Sequence, residues 1–219
     1  MFGGGAWPMM NDVWFSSDGL EWSQVLEHAP WIERSYFGAT VHLNMLWLSG
    51  GYNFTGEGLG QSLNDCWYSA DGTNWTQSTA NATWSGRSNH VTVPFSGLLW
   101  LLGGSYITGV GPYAHYVFLN DVWLTSDGVN WNQAPNAPWS PRTGHASVLF
   151  QQKLWILGGW TQSGIEPSQM ANDVWCMSPV TVSVRAVGGT WREEGEPLDL
   201  EAVVTGISGP IAYQWTKSG

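Results

Sequence analysis

Positive charge is what this chain lacks most: seven Lys+Arg stand against 17 Asp+Glu in 219 residues, a formal net charge of −10. Phosphate contacts need clustered cations, so no nucleic acid and no anionic membrane is expected as a partner. Charge of either sign is scarce, at 11%, yet hydrophobic residues reach 43%, which is not the balance of a disordered chain. No apolar run approaches the roughly 20 residues of a membrane helix. No Lys/Arg-led apolar segment opens the sequence, so neither membrane insertion of this segment nor a visible signal peptide is expected. Cysteine is nearly absent. Cys66 and Cys176 fall in repeats that are not neighbours, which argues against a disulfide and for two buried thiols packing as small hydrophobes.

What is abundant is Gly (28) and Trp (17), and both recur at fixed places. Segments reading Asn-Asp-x-Trp begin at Asn11, Asn64, Asn120 and Asn172, a period of a little over fifty residues. Repetition at that spacing points to a propeller or solenoid with one supersecondary unit per repeat. The apolar runs are short, rich in β-branched and aromatic residues, and punctuated by Gly, Asn and Asp, as strands are. Four strands per unit are predicted. The first follows an arginine (Arg34, Arg87, Arg142), and the second ends in a Gly pair (Gly50-Gly51, Gly103-Gly104, Gly158-Gly159). The third carries Asp and Trp: Asp12 and Trp14, Asp65 and Trp67, Asp121 and Trp123, Asp173 and Trp175. The fourth holds the Trp that follows Asp-Gly. Asp18-Gly19, Asp71-Gly72 and Asp127-Gly128 lie where a tight hairpin needs residues that tolerate positive φ. The repeated tryptophans are read as packing between wedge-shaped sheets rather than as ligand platforms.

Taken as a set, the Gly-Gly strand end, Asn-Asp-x-Trp, a second Trp eight residues later and the Arg opening the next strand resemble the kelch family of β-propellers. The resemblance spans Met1 to about Ser178. The Ser-x-Asp-Gly-x-x-Trp stretches also resemble the Asp-box hairpin of sialidase-type propellers, but with one residue fewer between Asp and Gly. The implied fold class is all-β: about three and a half four-stranded blades at residues 1–178, the C-terminal blades of a larger ring. Propellers run from four to eight blades, and roughly six or seven are expected here. Because Met1 to Gly4 match the end of a second strand, upstream sequence is expected to be missing. The last unit has no Asp-Gly-x-x-Trp after Ser178, so its fourth strand is expected from upstream of Met1.

From about Thr181 the composition changes. Leu198, Leu200, Ala202 and Val204 alternate with other residues, as in a half-buried strand. Residues 181–219 resemble the first half of a bacterial immunoglobulin-like domain, with Trp215 as its core ring. Only about forty of the roughly 100 residues of such a sandwich are present, so this tail is expected to be poorly ordered or to lean on the propeller.

In an antiparallel meander the loops between second and third strands share a face with the connections between blades. Those loops vary between copies, and variable loops on a rigid scaffold are where binding resides. They carry the candidate ligand-binding residues Tyr52, Phe54, Glu57, Tyr106, Tyr113, His115, Tyr116, Trp160 and Glu166. Trp31, Trp84 and Trp139 and the three arginines are placed on the same side. The repeated position of the arginines argues for hydrogen bonds between neighbouring blades rather than an anion clamp. His90 and His145 are expected as satisfied buried histidines, because further metal ligands are not identifiable. No catalytic residue, metal site or cofactor is assigned.

The favoured function is non-catalytic recognition or scaffolding, extracellular or at a cell surface, of a protein or carbohydrate ligand. The alternative is a carbohydrate-active enzyme, a galactose oxidase-like copper oxidase or a sialidase-type glycosidase, with catalytic residues partly upstream. Fold resemblance alone does not establish either.

Overall fold

The computed structural model describes residues 2–4, 8–54, 60–109, 113, 115–162, 168–178, 181–186, 200–205 and 214–218. Glu57 and Glu166 lie outside them. The described elements are strands. Blade 1 is a three-stranded sheet of β1 (Phe2–Gly4), β2 (Met10–Phe15) and β3 (Ser23–Leu26). Blade 2 runs β4 (Gly38–His42), β5 (Met45–Asn53), β6 (Gln61–Ser69) and β7 (Trp75–Thr79) in sequence order. Blade 3 is β8 (Val91–Phe95), β9 (Leu98–Thr108), β10 (His115–Thr125) and β11 (Asn132–Ala134). Three short strands, β12 (Arg142–Thr143), β15 (Trp160–Thr161) and β16 (Gln169–Met170), extend that sheet in the order β10-β12-β15-β16. Blade 4 is β13 (Ala146–Phe150), β14 (Lys153–Leu157), β17 (Val174–Ser178) and β20 (Gln214–Ser218). Separately, β18 (Thr181–Ala186) and β19 (Leu200–Thr205) form an antiparallel pair.

The first strands of blades 2 and 3 lie against each other, as do those of blades 3 and 4, so strand 1 is innermost and strand 4 outermost. Three apolar seams hold consecutive blades together. Val13, Ala29, Trp31 and Leu48 fill the first; Trp47, Cys66, Trp84, Leu101 and Trp131 the second; Val93, Phe95, Trp100, Leu124, Trp139 and Ile156 the third. Each fully buried indole removes roughly 200 Å² from water, about 5 kcal/mol at ~25 cal/mol per Å², before folding costs. That magnitude decides for packing over display at these positions.

The Gly pair explains how the seams close. Gly50 and Gly51 have φ of +54° and +107°, which glycine adopts without steric cost, and they mark a bulge in the β5–β6 register. A Cβ on Gly51 would stand 2.9 Å from the Phe37 Cβ of its own blade, while one on Gly50 would stand 3.0 Å from His90 Cε1 of the next. One glycine therefore admits the blade's own first strand, and the other admits its neighbour's.

The structure differs from the sequence reading at two strand positions. The fourth strand of blade 4 is filled by β20, in register from Val174↔Ser218 to Ser178↔Gln214, rather than by a segment from upstream of Met1. Trp215 accordingly pairs opposite Met177, not within a sheet formed by β18 and β19. The outer edge of β17 would otherwise present unpaired backbone groups, and an alternating segment in reach satisfies them. The Asp-Gly hairpins are also wider than two-residue turns, because the Asp side chain organises them. Asp71 Oδ1 accepts from the backbone N–H of Thr73 at 2.8 Å and Asn74 at 2.7 Å, Ser69 Oγ accepts from Gly72 N–H at 2.8 Å, and Trp75 Nε1 donates to Gly72 O at 2.9 Å. The backbone N–H of Asn74, then its side chain, hold the Asp71 carboxyl far below the ordinary carboxylate range.

Candidate functional site

Each arginine that opens a blade is a rivet with two ends. The guanidinium of Arg87 forks onto Asp121, with Nη1–Oδ1 at 2.6 Å and Nη2–Oδ2 at 2.7 Å, and Nη1 also reaches Gly103 O at 2.9 Å. Arg34 holds Asp65 and Gly50 O, and Arg142 holds Asp173 and Gly158 O, in the same way. Asp65, Asp121 and Asp173 each accept a further bond from the indole two residues on, at 2.7 to 2.8 Å. Arg142 first, and Trp175 with it, hold the Asp173 carboxyl below its usual range. All three guanidinium partners lie within the arginine's own blade, which corrects the expected bond to a neighbouring one. The link across blades is made by the backbone: Arg87 N–H donates to Leu63 O, and Gly51 N–H donates to Arg87 O. A fork needs a planar carboxylate at fixed distance, and strand 3 of the same sheet supplies it.

The arginines are 0% exposed, and Trp31, Trp84 and Trp139 are 2% exposed or less. These six residues therefore contribute nothing to a ligand surface, although their segments lie on that side of the molecule. His90 and His145 are buried as expected, but they are not satisfied. His90 Nε2 lies 3.2 Å from Ser49 Oγ, which is 2.7 Å from Thr92 Oγ1, while His90 Nδ1 and both ring nitrogens of His145 have no hydrogen-bond partner among the described residues. Burial, then the nearby Arg87 guanidinium and His145, holds His90 down to about 3; burial and Arg142 do the same to His145, also to about 3. Ser49 and His90 resemble part of a nucleophile–base pair in chemistry only, since Ser49 is buried at 2% exposure and no carboxylate orients the ring. Both cysteines are free and buried, and burial pushes the Cys66 thiol up, away from reactivity. Among the described residues no group of three or more His, Cys, Asp or Glu is placed to hold a metal.

On the loop face the strands continue well past the blade. β9 and β10 pair out to Thr108↔His115, passing Tyr106↔Val117 and Ile107↔Tyr116. In blade 4, β15 and β16 pair Trp160↔Met170, and β12 joins them to β10 through Arg142↔Thr161 and Leu119↔Arg142. The loops of two adjacent blades are thus one continuous backbone sheet rather than separate flexible arms. It displays Tyr113 (79% exposed), Tyr116 (56%), Trp160 (44%) and Met170 (76%). His115 is exposed beside them, its Nδ1 3.1 Å from Tyr113 O. Tyr52, Phe54 and Tyr106 are half-buried; Tyr52 pairs with Ser35, and its hydroxyl accepts from Gly60 N–H at 3.1 Å. Met170 was not among the residues picked from the sequence, where nothing distinguishes it from the rest of its loop.

Within residues 8–178 the basic side chains are Arg34, Arg87, Arg142 and Lys153. With the arginines committed to carboxylates and Lys153 in the strand 1–2 hairpin of blade 4, no Lys or Arg among the described residues of 8–178 is displayed on the loop face. On the opposite side, a groove of ≈ 430 Å³ lies between the strand 1–2 hairpins of blades 3 and 4, lined by Pro94, Phe95, Ser96, Gly97, Leu149 and Gln152.

An arc of antiparallel meanders, with a Gly-Gly pair, an Arg–Asp rivet and an innermost first strand in each of blades 2 to 4, is a partial kelch-type β-propeller. Among the particular proteins it resembles are alpha-scruin and YjhT. Alpha-scruin of Limulus polyphemus, a kelch-repeat protein, is 25% identical over 159 residues, 67% of this chain and 15% of its own length. The solved structure of YjhT, a kelch-type propeller, superposes with a TM-score of 0.62 at 15% identity, covering 78% of this chain and 49% of that one. The chain thus spans less than half the length of either relative. No family model matches it. No helix among the described residues is long and apolar enough to cross a membrane.

Proposed function

We propose that this chain is a non-catalytic recognition scaffold that binds a protein or carbohydrate ligand through the loop face of blades 3 and 4, in an extracellular or cell-surface setting. One observation carries the reading. The repeated Arg, Asp and Gly residues and the Trp31, Trp84 and Trp139 indoles are consumed by the blade skeleton, whereas Tyr116 and Trp160, which the repeat does not dictate, stand exposed on one backbone sheet, with Tyr113 exposed just ahead of β10. Large, stiff aromatics displayed without neighbouring cations suit both a protein hot spot and a sugar ring. The likeness to alpha-scruin, a kelch-repeat protein, supports the protein-binding form. Of the immunoglobulin-like reading of residues 181–219, the proposal keeps only the segment ahead of β20, as a spacer, because β20 is taken up by blade 4.

Peptide and glycan arrays probed with the wild-type chain and with a Tyr113→Ala/Tyr116→Ala/Trp160→Ala variant test it. Signals that the variant loses by at least about tenfold are expected, since hot-spot truncations cost about 2 kcal/mol or more. Ligands captured equally by both proteins would remove the loop face from consideration. Stoichiometric copper together with peroxide release from galactose would establish the oxidase alternative instead.

A further inference from the structure

Three stretches of the chain read Asn-x-Thr with no proline between, at Asn53, Asn74 and Asn81. That is the acceptor pattern for an N-linked glycan, and it needs a surface position. The fold separates the three. Asn53 is 5% exposed, and its Nδ2 donates to Glu33 O at 2.6 Å. Asn74 is exposed, but its Nδ2 turns back onto Asp71 Oδ2 at 2.8 Å inside the Asp-Gly hairpin. Asn81 is exposed in the connection from β7 to blade 3, and its side chain has no hydrogen-bond partner among the described residues.

That freedom is particular to one repeat. The same connection elsewhere reads His28-Ala29-Pro30-Trp31 and Asn136-Ala137-Pro138-Trp139, with proline where blade 2 has Thr83. There the first residue is taken up by the asparagine of Asn-Asp-x-Trp: His28 Nδ1 lies 3.2 Å from Asn11 Oδ1, and Asn136 Nδ2 donates to Asn120 Oδ1 at 3.3 Å. In blade 2, Asn64 holds the backbone of the connection instead, its Nδ2 donating to Ala82 O at 3.1 Å and its carbonyl accepting from Ala82 N–H at 2.9 Å. Thr83 Oγ1 donates across the seam to Trp131 O at 3.2 Å. Of the three connections, the one that completes the acceptor triplet is thus also the one that leaves its first side chain unbonded, on a pinned backbone.

We infer that Asn81 is the acceptor of an N-linked glycan, which rests on the extracellular setting proposed above. The donor class is an oligosaccharide carried on a polyprenyl diphosphate. A bond forms between its anomeric carbon and Asn81 Nδ2, and the bond from that carbon to the diphosphate oxygen breaks. The diphosphate leaves with the electron pair, and one amide proton passes to a base. At Asn81 the glycan extends into solvent from the fourth-strand side of blade 2 and displaces no bond among the described residues. At Asn53 it would need room in a buried site, and at Asn74 it would press on the carboxylate that organises the hairpin.

The test expresses the 219-residue chain behind a cleavable leader in a eukaryotic secretory host. Each asparagine is mapped by mass spectrometry before and after peptide N-glycosidase, which converts a glycan-bearing Asn to Asp. Asn81 should carry a glycan, Asn81→Gln should lose it completely, and Thr83→Ser, which keeps the hydroxyl, should retain it. Urea midpoints of the treated and untreated wild type and of Asn81→Gln should coincide. A bare Asn81 in the secreted, cooperatively melting chain overturns the assignment. So does a wild-type chain that is retained while Asn81→Gln is secreted and folded. Because the leader imposes export, neither result depends on where the natural chain resides. The setting is read apart, by fractionating the source cells: a chain confined to the cytoplasm removes the setting, and with it natural occupancy, even where the leader-borne chain is glycosylated.

Discussion

Arg34, Arg87 and Arg142 show how one residue type fastens the second strand to the third within a blade. Each is fully enclosed, and each satisfies a carboxylate that is only 13 to 21% exposed. Removing one partner of such a pair leaves the other charge buried and unpaired, which costs about 3 kcal/mol or more. Arg87→Ala should therefore lower stability by at least that amount in urea melts, and Arg87→Lys should recover little, because a single ammonium cannot span both carboxylate oxygens. The histidines give a second prediction. His90 and His145 sit at about 3 in the fold against about 6.5 in an unfolded chain. Between those values the unfolded chain binds more protons, so stability falls as pH drops from about 6.5 towards 3. The urea midpoint at pH 5 should lie below that at pH 7.5, and a His90→Phe/His145→Phe variant should narrow the difference. Blade 2 already uses Phe37 at this position. The arginines were legible in the sequence by their period, but their partners were not. Asp65 lies 31 residues from Arg34, and only the closed meander brings the two together.

Among elements, the strand 1–2 hairpin of blade 3 (Gly97) and its Asp-Gly hairpin (Gly128) separate local from tertiary demands on glycine. Gly97 and Gly128 have nearly the same φ, +77° and +71°. A Cβ on Gly97 meets open space, whereas one on Gly128 would overlap the ring of Trp47 in the preceding blade. Gly97→Ala should cost about 1 kcal/mol of backbone strain, and Gly128→Ala a further 1 to 3 kcal/mol, roughly, from overpacking. Equal losses in chemical melts would mean that the hairpin does not dock on Trp47. The hairpin positions could be read from Ser-x-Asp-Gly-x-x-Trp, but the docking could not. It depends on Ser78 Oγ donating to Gly128 O at 3.0 Å across the seam. The loop face divides in the same way. Its variable segments stood out because the repeat does not dictate them, while their fusion through β12 into one sheet arises only when two blades lie side by side.

For the molecule as a whole, the last described blade repeats a docking face that nothing described covers. Val148, Phe150 and Leu157 are 46%, 58% and 37% exposed, while their counterparts in blade 3, Val93, Phe95 and Leu102, are 8% or less. A contiguous apolar face of this kind drives association. Val148→Ser/Phe150→Ser should leave the melting midpoint nearly unchanged and reduce concentration-dependent self-association in sedimentation velocity. An unaltered sedimentation profile would show the face to be inert. By itself the sequence determined the strand count per unit, the blade boundaries, the hairpin positions and the acidity of the surface, because these follow from a period of residue types and from composition. Only the tertiary structure decided which strand closes blade 4, which indoles are walls and which are displayed, and which aspartate each arginine holds. Those outcomes depend on contacts between segments tens of residues apart, and a linear pattern of residue types carries no record of which distant partner completes it.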